Sequence, residues 1–209
     1  MLLNQHNLKM AEFCSSDETR PRLRELQIRK DATIATDAHI LVKTTLPDIP
    51  AEDFPKVDVP GFQIKTTTLS VPATSVKEAL KNLKTVIKQR TCLPSLENVL
   101  VLQNGDSAQL VATDLETKYR TEFKIPDADY PATDSLWPTT KPKARLLVDP
   151  SYLRELAAYF QSFVAKYQKN WVELEIREPN QPLVLRAHNT DTDQTCTALI
   201  MPMQDNRNL

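Results

Sequence analysis

Four lysines carry the most pointed chemical signal in this 209-residue chain. Lys77, Lys81, Lys84 and Lys88 are spaced 4, 3 and 4 residues apart. At about 100° per residue that spacing puts them in one narrow stripe of a helix. Glu78 falls off the stripe, and Arg90 follows at the helix end. A row of ammonium groups with no acid among them suits a phosphate backbone, which it would attract without reading sequence. Charge runs on helices are more often solvated faces, and on spacing alone that plainer reading is the stronger.

Other chemistries have less support. The acids Asp114, Glu116, Asp127, Asp129, Asp191 and Asp193 form no recognisable catalytic constellation with His6, His39 or His188. Asp37 and Asp114 sit at the ends of strand-like runs and read as turn or cap residues. The Asp191-Thr192-Asp193 loop lacks the ligand count and the glycine of a calcium loop. Cys14, Cys92 and Cys196 are odd in number and far apart, against a disulfide framework or a zinc knuckle. Only two glycines occur, Gly61 and Gly105. That excludes a phosphate-cradling loop, a dinucleotide fingerprint and a Gly-hinged nucleophile elbow, all of which need closely spaced glycines. An enzyme is therefore not expected, and neither a metal nor a cofactor is implied.

The bulk composition agrees. Lys and Arg number 26 against 27 Asp and Glu, for a net charge of −1. No global basic field exists, so any attraction for a polyanion must be local. The length allows one large domain or two small ones, and 41% hydrophobic residues suffice for a core. No apolar run approaches 18 residues and no signal peptide is read, so a soluble, cytoplasmic protein is expected.

The elements that must position these residues follow from periodicity. Residues 7–14 read as a short helix. Leu23–Arg29 alternates as a strand with one wet face, and Thr33–Leu46 reads as strand around Ile40-Leu41-Val42. Residues 47–67 hold Pro47, Pro50, Pro55 and Pro60 and read as a connector. A strand at Thr68–Val71 precedes the lysine-bearing helix, expected from Ser75 to Gln89 with Ser75 and Glu78 as a capping box. Its apolar stripe is Val76, Ala79, Leu80, Leu83 and Ile87. Strands are expected at Asn98–Leu102, Gln109–Thr113 and Tyr119–Ile125. A second Pro-rich connector spans 126–142. A strand at Ala144–Val148 then leads to a helix opened by Asp149-Pro150, with Leu153, Leu156, Ala157, Phe160 and Val164 as its apolar stripe. Strands Trp171–Arg177, Leu183–Ala187 and Thr195–Met201 close the series.

The chain thus holds three strand–helix–strands units of about 60 residues, a repeat-like α+β organisation. Ala35-Thr36-Asp37 returns as Ala112-Thr113-Asp114 at the same place in the element order. One such unit cannot bury both faces of its sheet, so units should pair.

The words of the sequence resemble those of the bacterial DNA polymerase III beta subunit, the replicative sliding clamp. Residues 90–99, Arg-Thr-Cys-Leu-Pro-Ser-Leu-Glu-Asn-Val, followed by 110–116, Leu-Val-Ala-Thr-Asp-Leu-Glu, look like a clamp half-domain. Residues 17–23 followed by 35–39 look like the matching half of the clamp's middle domain. Asp53-Phe54-Pro55 with Val59-Pro60 resembles an interdomain connector, and residues 199–203 resemble the terminal strand.

The resemblance implies a DNA-clamp-like fold of repeated units, with helices on one face of antiparallel sheets. It implies a sliding, non-enzymatic processivity factor that encircles duplex DNA without sequence specificity. The alternative is a clamp-derived interaction module that binds partner peptides but encircles nothing. By the same resemblance Arg20 and Arg90 match an arginine that contacts DNA. Leu23, Thr36, Ala38, His39, Leu41, Pro60, Met201, Pro202 and Met203 match a pocket for short apolar peptides of DNA polymerases or repair proteins. For Leu23 and Leu41 alone, ordinary core packing is the stronger reading. A clamp loader is among the partners the family brings.

The sequence departs from the family in three places. It holds three half-units where the family chain has six. Ala38 and Ile40 stand at pocket positions that are glycine and arginine in the family, and the tail 204–209 runs past the terminal methionine. The expected division is a half-unit plus connector at 1–67, then a complete clamp-like domain at 68–209 built from 68–125 and 143–203. The orphan half-unit 1–46 would leave an unpaired sheet edge. A homo-oligomer is expected to cover it, and a tetramer with twelve half-units would close a ring of the family's size.

Overall fold

The computed structural model describes residues 1–57, 59–65, 67–88, 93–127, 129–164, 171–178 and 180–203. It divides into two compact units, Met1–Asp134 and Ser135–Leu209.

The first unit is built from two copies of one plan. Strand β1 (Leu2–Asn4) enters helix α1 (Gln5–Lys9), which a single 3-10 turn extends to Phe13. Asn4 caps α1 through its side chain, and Asn7 reciprocates, satisfying donors that the helix itself cannot. Strands β2 (Glu25–Ile28), β3 (Ala32–Thr36) and β4 (Leu41–Thr45) follow. Where Thr33–Leu46 read as one strand, a turn at residues 37–40 splits it into a hairpin, and Ile40 is exposed in that turn. The short strand β5 (Gln63–Ile64) comes next. The second copy then runs β6 (Leu69–Pro72), α2 (Ala73–Lys88), β7 (Asn98–Asn104), β8 (Ser107–Thr113) and β9 (Lys118–Lys124).

The two copies exchange their first strands. β1 pairs antiparallel with β7, giving the order β1-β7-β8-β9 with β5 also on β7. β6 pairs with β2, giving β4-β3-β2-β6. Each copy thus completes the other's sheet. Helices α1 and α2 pack together, and the core between helices and sheets buries Leu8, Leu26, Ile28, Val76, Leu83, Val99 and Val101 completely. Burying both helix faces this way needs two copies, as layer packing requires.

The first and second repeats therefore form one compact body, where the sequence grouped the second with the third. Residues 1–46 are therefore paired with the second half-unit, and the third forms a unit of its own. The first Pro-rich stretch is no free linker: Phe54 and Val59 seal a small core on the other sheet face with Leu2, Leu100, Leu102 and Val111. The start of the second connector also belongs here, because Tyr130 and Thr133 are buried and Arg29 is paired with Asp134.

The repeated Ala-Thr-Asp word is a repeated turn. Thr36 Oγ1 accepts from Ala38 N–H at 3.1 Å, and Thr113 Oγ1 accepts from Leu115 N–H at 3.1 Å. Asp37 Oδ1 accepts from His39 and Ile40, and Asp114 Oδ1 from Glu116 and Thr117. Ala38 and Leu115 both hold positive φ, 80° and 82°. Asp37 and Asp114 are thus turn acceptors, as their positions implied. These two backbone amides also hold the Asp37 carboxyl below its ordinary range.

The second unit has a single copy of the plan. Helix α3 (Pro150–Phe163) is capped by Asp149, which accepts from Ser151 N–H at 2.8 Å with Pro150 in the first turn. Strands β10 (Glu173–Glu175), β11 (Leu183–Asn189) and β12 (Gln194–Ile200) form an antiparallel sheet in that order. Between β11 and β12, Asn189 Oδ1 accepts from Asp191 and Thr192. That is the Asp37 and Asp114 geometry with an amide in place of the carboxylate. The core holds Phe160, Val164, Leu183, Leu185, Ala187 and Ile200. Ala157, placed in the apolar stripe from sequence, is exposed. The strand expected at Ala144–Val148 is not formed. In the first unit the strand before each helix pairs with the other copy's sheet; in the second, Leu146 and Val148 pack instead against the unit's own core.

Candidate functional site

Helix α2 presents the lysine row. Its buried face is Val76, Ala79, Leu80, Leu83 and Val86, with Ile87 half-buried where the sequence put it fully in the stripe. Lys77, Lys81, Lys84 and Lys88 are all exposed, within an arc of roughly 60° at 100° per residue. None of the four is in an ion pair with a described residue. The helix begins at Ala73, directly after β6, so Ser75 is its third residue and not its cap. Arg20 precedes the 3-10 turn Pro21–Arg24 and is exposed, but its Nε lies 3.6 Å from Asp17. Arg90 lies outside the described residues.

A cleft of about 340 Å³ opens beside Lys77 at the start of α2, against Cys14, Arg24, Glu25 and Thr74. The Cys14 thiol donates to Glu25 O at 3.3 Å, and burial pushes its pKa up to about 11. Burial also raises the Glu25 carboxyl, against a lowering hydrogen bond from Ser70. A thiol held protonated at neutral pH is not a nucleophile, so this cleft lacks an activated attacking group.

The residues matched to a peptide pocket fall in both units. In the first, the β3–β4 turn gathers Thr36, Ala38, His39 and Leu41. Thr36 is buried as the turn's acceptor, His39 is exposed, and Leu41 is half-buried. Leu23 is half-buried in the 3-10 turn and Pro60 is exposed. In the second unit Met201 is 68% and Met203 56% exposed, with Pro202 between them half-buried. Met203 N–H donates to Leu147 O at 2.8 Å, which anchors the end of this segment.

Met201 borders a groove of about 410 Å³ lined by Tyr152, Glu155, Leu156, Leu199 and Ile200. Sequence reading missed Tyr152 and Leu199, and counted Leu156 as core. The available signal was Tyr152 and Tyr159, seven residues apart on α3 and both outside the apolar stripe. Both are more than half exposed, and Tyr159 stacks on Phe163 with ring centres 6.1 Å apart. Among the described residues no group of three or more His, Cys, Asp or Glu side chains could hold a metal ion. None of their helices is long and apolar enough to cross a membrane.

No protein-family model matches the chain, and no curated protein matches it. Solved structures do. The DNA polymerase III subunit beta of Borrelia burgdorferi superposes with a TM-score of 0.65 at 16% identity, over 96% of this chain and 48% of that one. The DNA polymerase sliding clamp of Pseudomonas aeruginosa gives 0.64 at 16% identity, over 99% and 52%. The Caulobacter crescentus pol III beta gives 0.60 at 14% identity, over 99% and 51%. The chain spans about half the length of these proteins. Two exchanged copies of one plan, followed by a third, are the α+β architecture of the DNA clamp, and this chain has the fold of bacterial DNA polymerase III beta subunits over about half their length.

Proposed function

We propose that this chain is a clamp-fold interaction module that docks short apolar peptides from DNA polymerases or repair proteins. The observation that carries this reading is the groove on the second unit at Met201. Its volume lies within the range of small-ligand and side-chain pockets, about 300–1,000 Å³. Its rim is apolar and adaptable: Tyr152, Leu156, Leu199 and Met201 surround a single carboxylate, Glu155. The fold likeness to sliding clamps, and the position of Met201-Pro202-Met203 after the last strand, support a peptide as the ligand.

Fluorescence anisotropy with labelled hexapeptides carrying leucine and phenylalanine tests it. Saturable binding is expected. Met201→Asp removes an apolar contact of roughly 1.5–3 kcal/mol, so affinity should fall roughly ten- to hundredfold. Absence of saturable binding, or indifference to Met201→Asp, refutes the groove as the docking site.

The lysine row favours a second reading, a sliding clamp that encircles duplex DNA. Weak, sequence-blind phosphate contacts would let a closed collar slide while topology prevents its escape. Retention on circular DNA that is lost on linearisation would establish this reading. Peptide binding without such retention leaves the module reading alone.

A further inference from the structure

The groove on the second unit carries one charge, and the surroundings of that charge say what a docked peptide must bring. This inference rests on the reading of the groove as a peptide-docking site. Glu155 stands on α3 between Tyr152, three residues before it, and Tyr159, four residues after it. At about 100° per residue the three fall within an arc of roughly 60° and form one stripe. Tyr152 and Glu155 line the groove together with Leu199 and Met201. Both tyrosines are more than half exposed. The Tyr159 ring is held in place, edge-on to Phe160 at 6.0 Å and stacked on Phe163.

This stripe is the electrical opposite of the lysine row. With the helix starts aligned, Ala73 of α2 on Pro150 of α3, Tyr152 and Tyr159 stand where α2 has Ser75 and Asn82. Asn82 there is turned to the sheet and donates to Thr121 at 3.2 Å. The places of Lys77, Lys81 and Lys84 are taken by Arg154, Ala158 and Gln161. Arg154 lies about 100° round the helix from Glu155. Glu155 is exposed and makes no ion pair with a described residue. Glu175 of the same unit, by contrast, holds both Arg177 and Arg186.

An apolar peptide seated against Leu156, Leu199 and Met201 strips water from Glu155. A carboxylate covered in this way needs a donor, or its lost hydration counts against binding. A guanidinium suits the place best. Its planar fork gives paired hydrogen bonds to a carboxylate, and its face stacks on an aromatic ring. An ammonium brings the charge without the plane. We propose that the groove selects peptides in which an arginine accompanies the apolar anchors, with Glu155 pairing the guanidinium and Tyr152 covering its face. The apolar rim then supplies affinity, and Glu155 supplies the choice between partners. A peptide with a glutamate at that place meets a like charge and is rejected.

Fluorescence anisotropy tests this with labelled hexapeptides that keep leucine and phenylalanine fixed and carry arginine, citrulline or glutamate at each remaining position in turn. Citrulline keeps the shape of arginine and removes its charge. At one position arginine should bind about three- to thirtyfold tighter than citrulline, from an ion pair and a cation–ring contact together. Glutamate should bind more weakly than citrulline there. Glu155→Gln should level arginine with citrulline, and Glu155→Lys should invert the order in favour of glutamate. Tyr152→Leu should cost the arginine peptide about two- to fivefold more than the citrulline peptide. Saturable binding that Met201→Asp weakens, with arginine and citrulline equal at every position, overturns the arginine choice and leaves the groove as a docking site. An arginine preference that survives Glu155→Gln overturns it too. Absence of saturable binding by every peptide overturns the docking reading and this inference with it.

Discussion

Neutralising the lysine row tests whether α2 follows a phosphate backbone or merely faces water. From Lys77 to Lys88 the helix rises about 16 Å at 1.5 Å per residue. Phosphates of one strand are spaced about 3.4 Å along the duplex axis, so the row reaches more phosphates than its four charges can neutralise. With all four lysines engaged, the slope of log K against log salt is about −3.6, from 0.9 per neutralised phosphate. Raising salt from 50 to 200 mM then weakens binding by about 150-fold. Arg20 is left out of that count because Asp17 already holds it at 3.6 Å. Each Lys→Gln change should flatten the slope by about 0.9 and weaken binding alike for every duplex sequence. The assay is fluorescence anisotropy with a labelled duplex over a salt series, for the unaltered chain and for single, double and quadruple variants. A quadruple variant that keeps the original slope refutes the reasoning, since the phosphates would then be met elsewhere. Unequal losses on different sequences would refute it as well, because ammonium groups on phosphates cannot read bases.

Three further outcomes follow from the packing. Leu83→Ala, in the fully buried centre of the first unit, should cost about 3–5 kcal/mol in a denaturant melt; a loss under 1 kcal/mol would mean that α2 is not seated on the exchanged sheets. Leu115→Gly should stabilise by about 0.5–1 kcal/mol in the same melt, because φ of 82° strains a side-chain-bearing residue and suits glycine; destabilisation would refute the left-handed turn. Cys14 should react slowly with iodoacetamide at pH 8. With a pKa near 11 in place of 9, its thiolate fraction is about a hundredfold smaller. The reaction should speed up tenfold per pH unit until the thiol titrates, and a rate equal to that of a free thiol would refute the burial.

Much of this molecule was legible before any coordinates. The 3.6-residue period of Val76, Ala79, Leu80 and Leu83 marked α2, and the same period placed the lysines on its wet face. The Asp149-Pro150 pair marked the start of α3, and alternation at Tyr119, Thr121 and Phe123 marked β9. Local chemistry decides these features, so local sequence reports them. The three-residue strand β1 was missed because so short a run shows no alternation. The Ile40 turn was read as strand because Ile40-Leu41-Val42 is apolar, although Asp37 bends the chain there. The third copy of the turn was missed because Asn189, and not an aspartate, accepts its amides.

By itself the sequence determined the repeated plan, the helix faces, the clamp-like words and the absence of glycine-built chemistry, since each depends on neighbours a few residues apart. Only the tertiary structure decided which repeats pair. Strand exchange joins residues nearly a hundred positions apart, Leu3 with Val99 among them, and no local pattern encodes a partner that far along the chain. The same non-local choice turned the first Pro-rich stretch and the start of the second into packed parts of the first unit. Residues 146–148 read as a strand, yet they lie in none: Leu146 and Val148 pack against the second unit's own core and Leu147 O accepts from Met203 N–H.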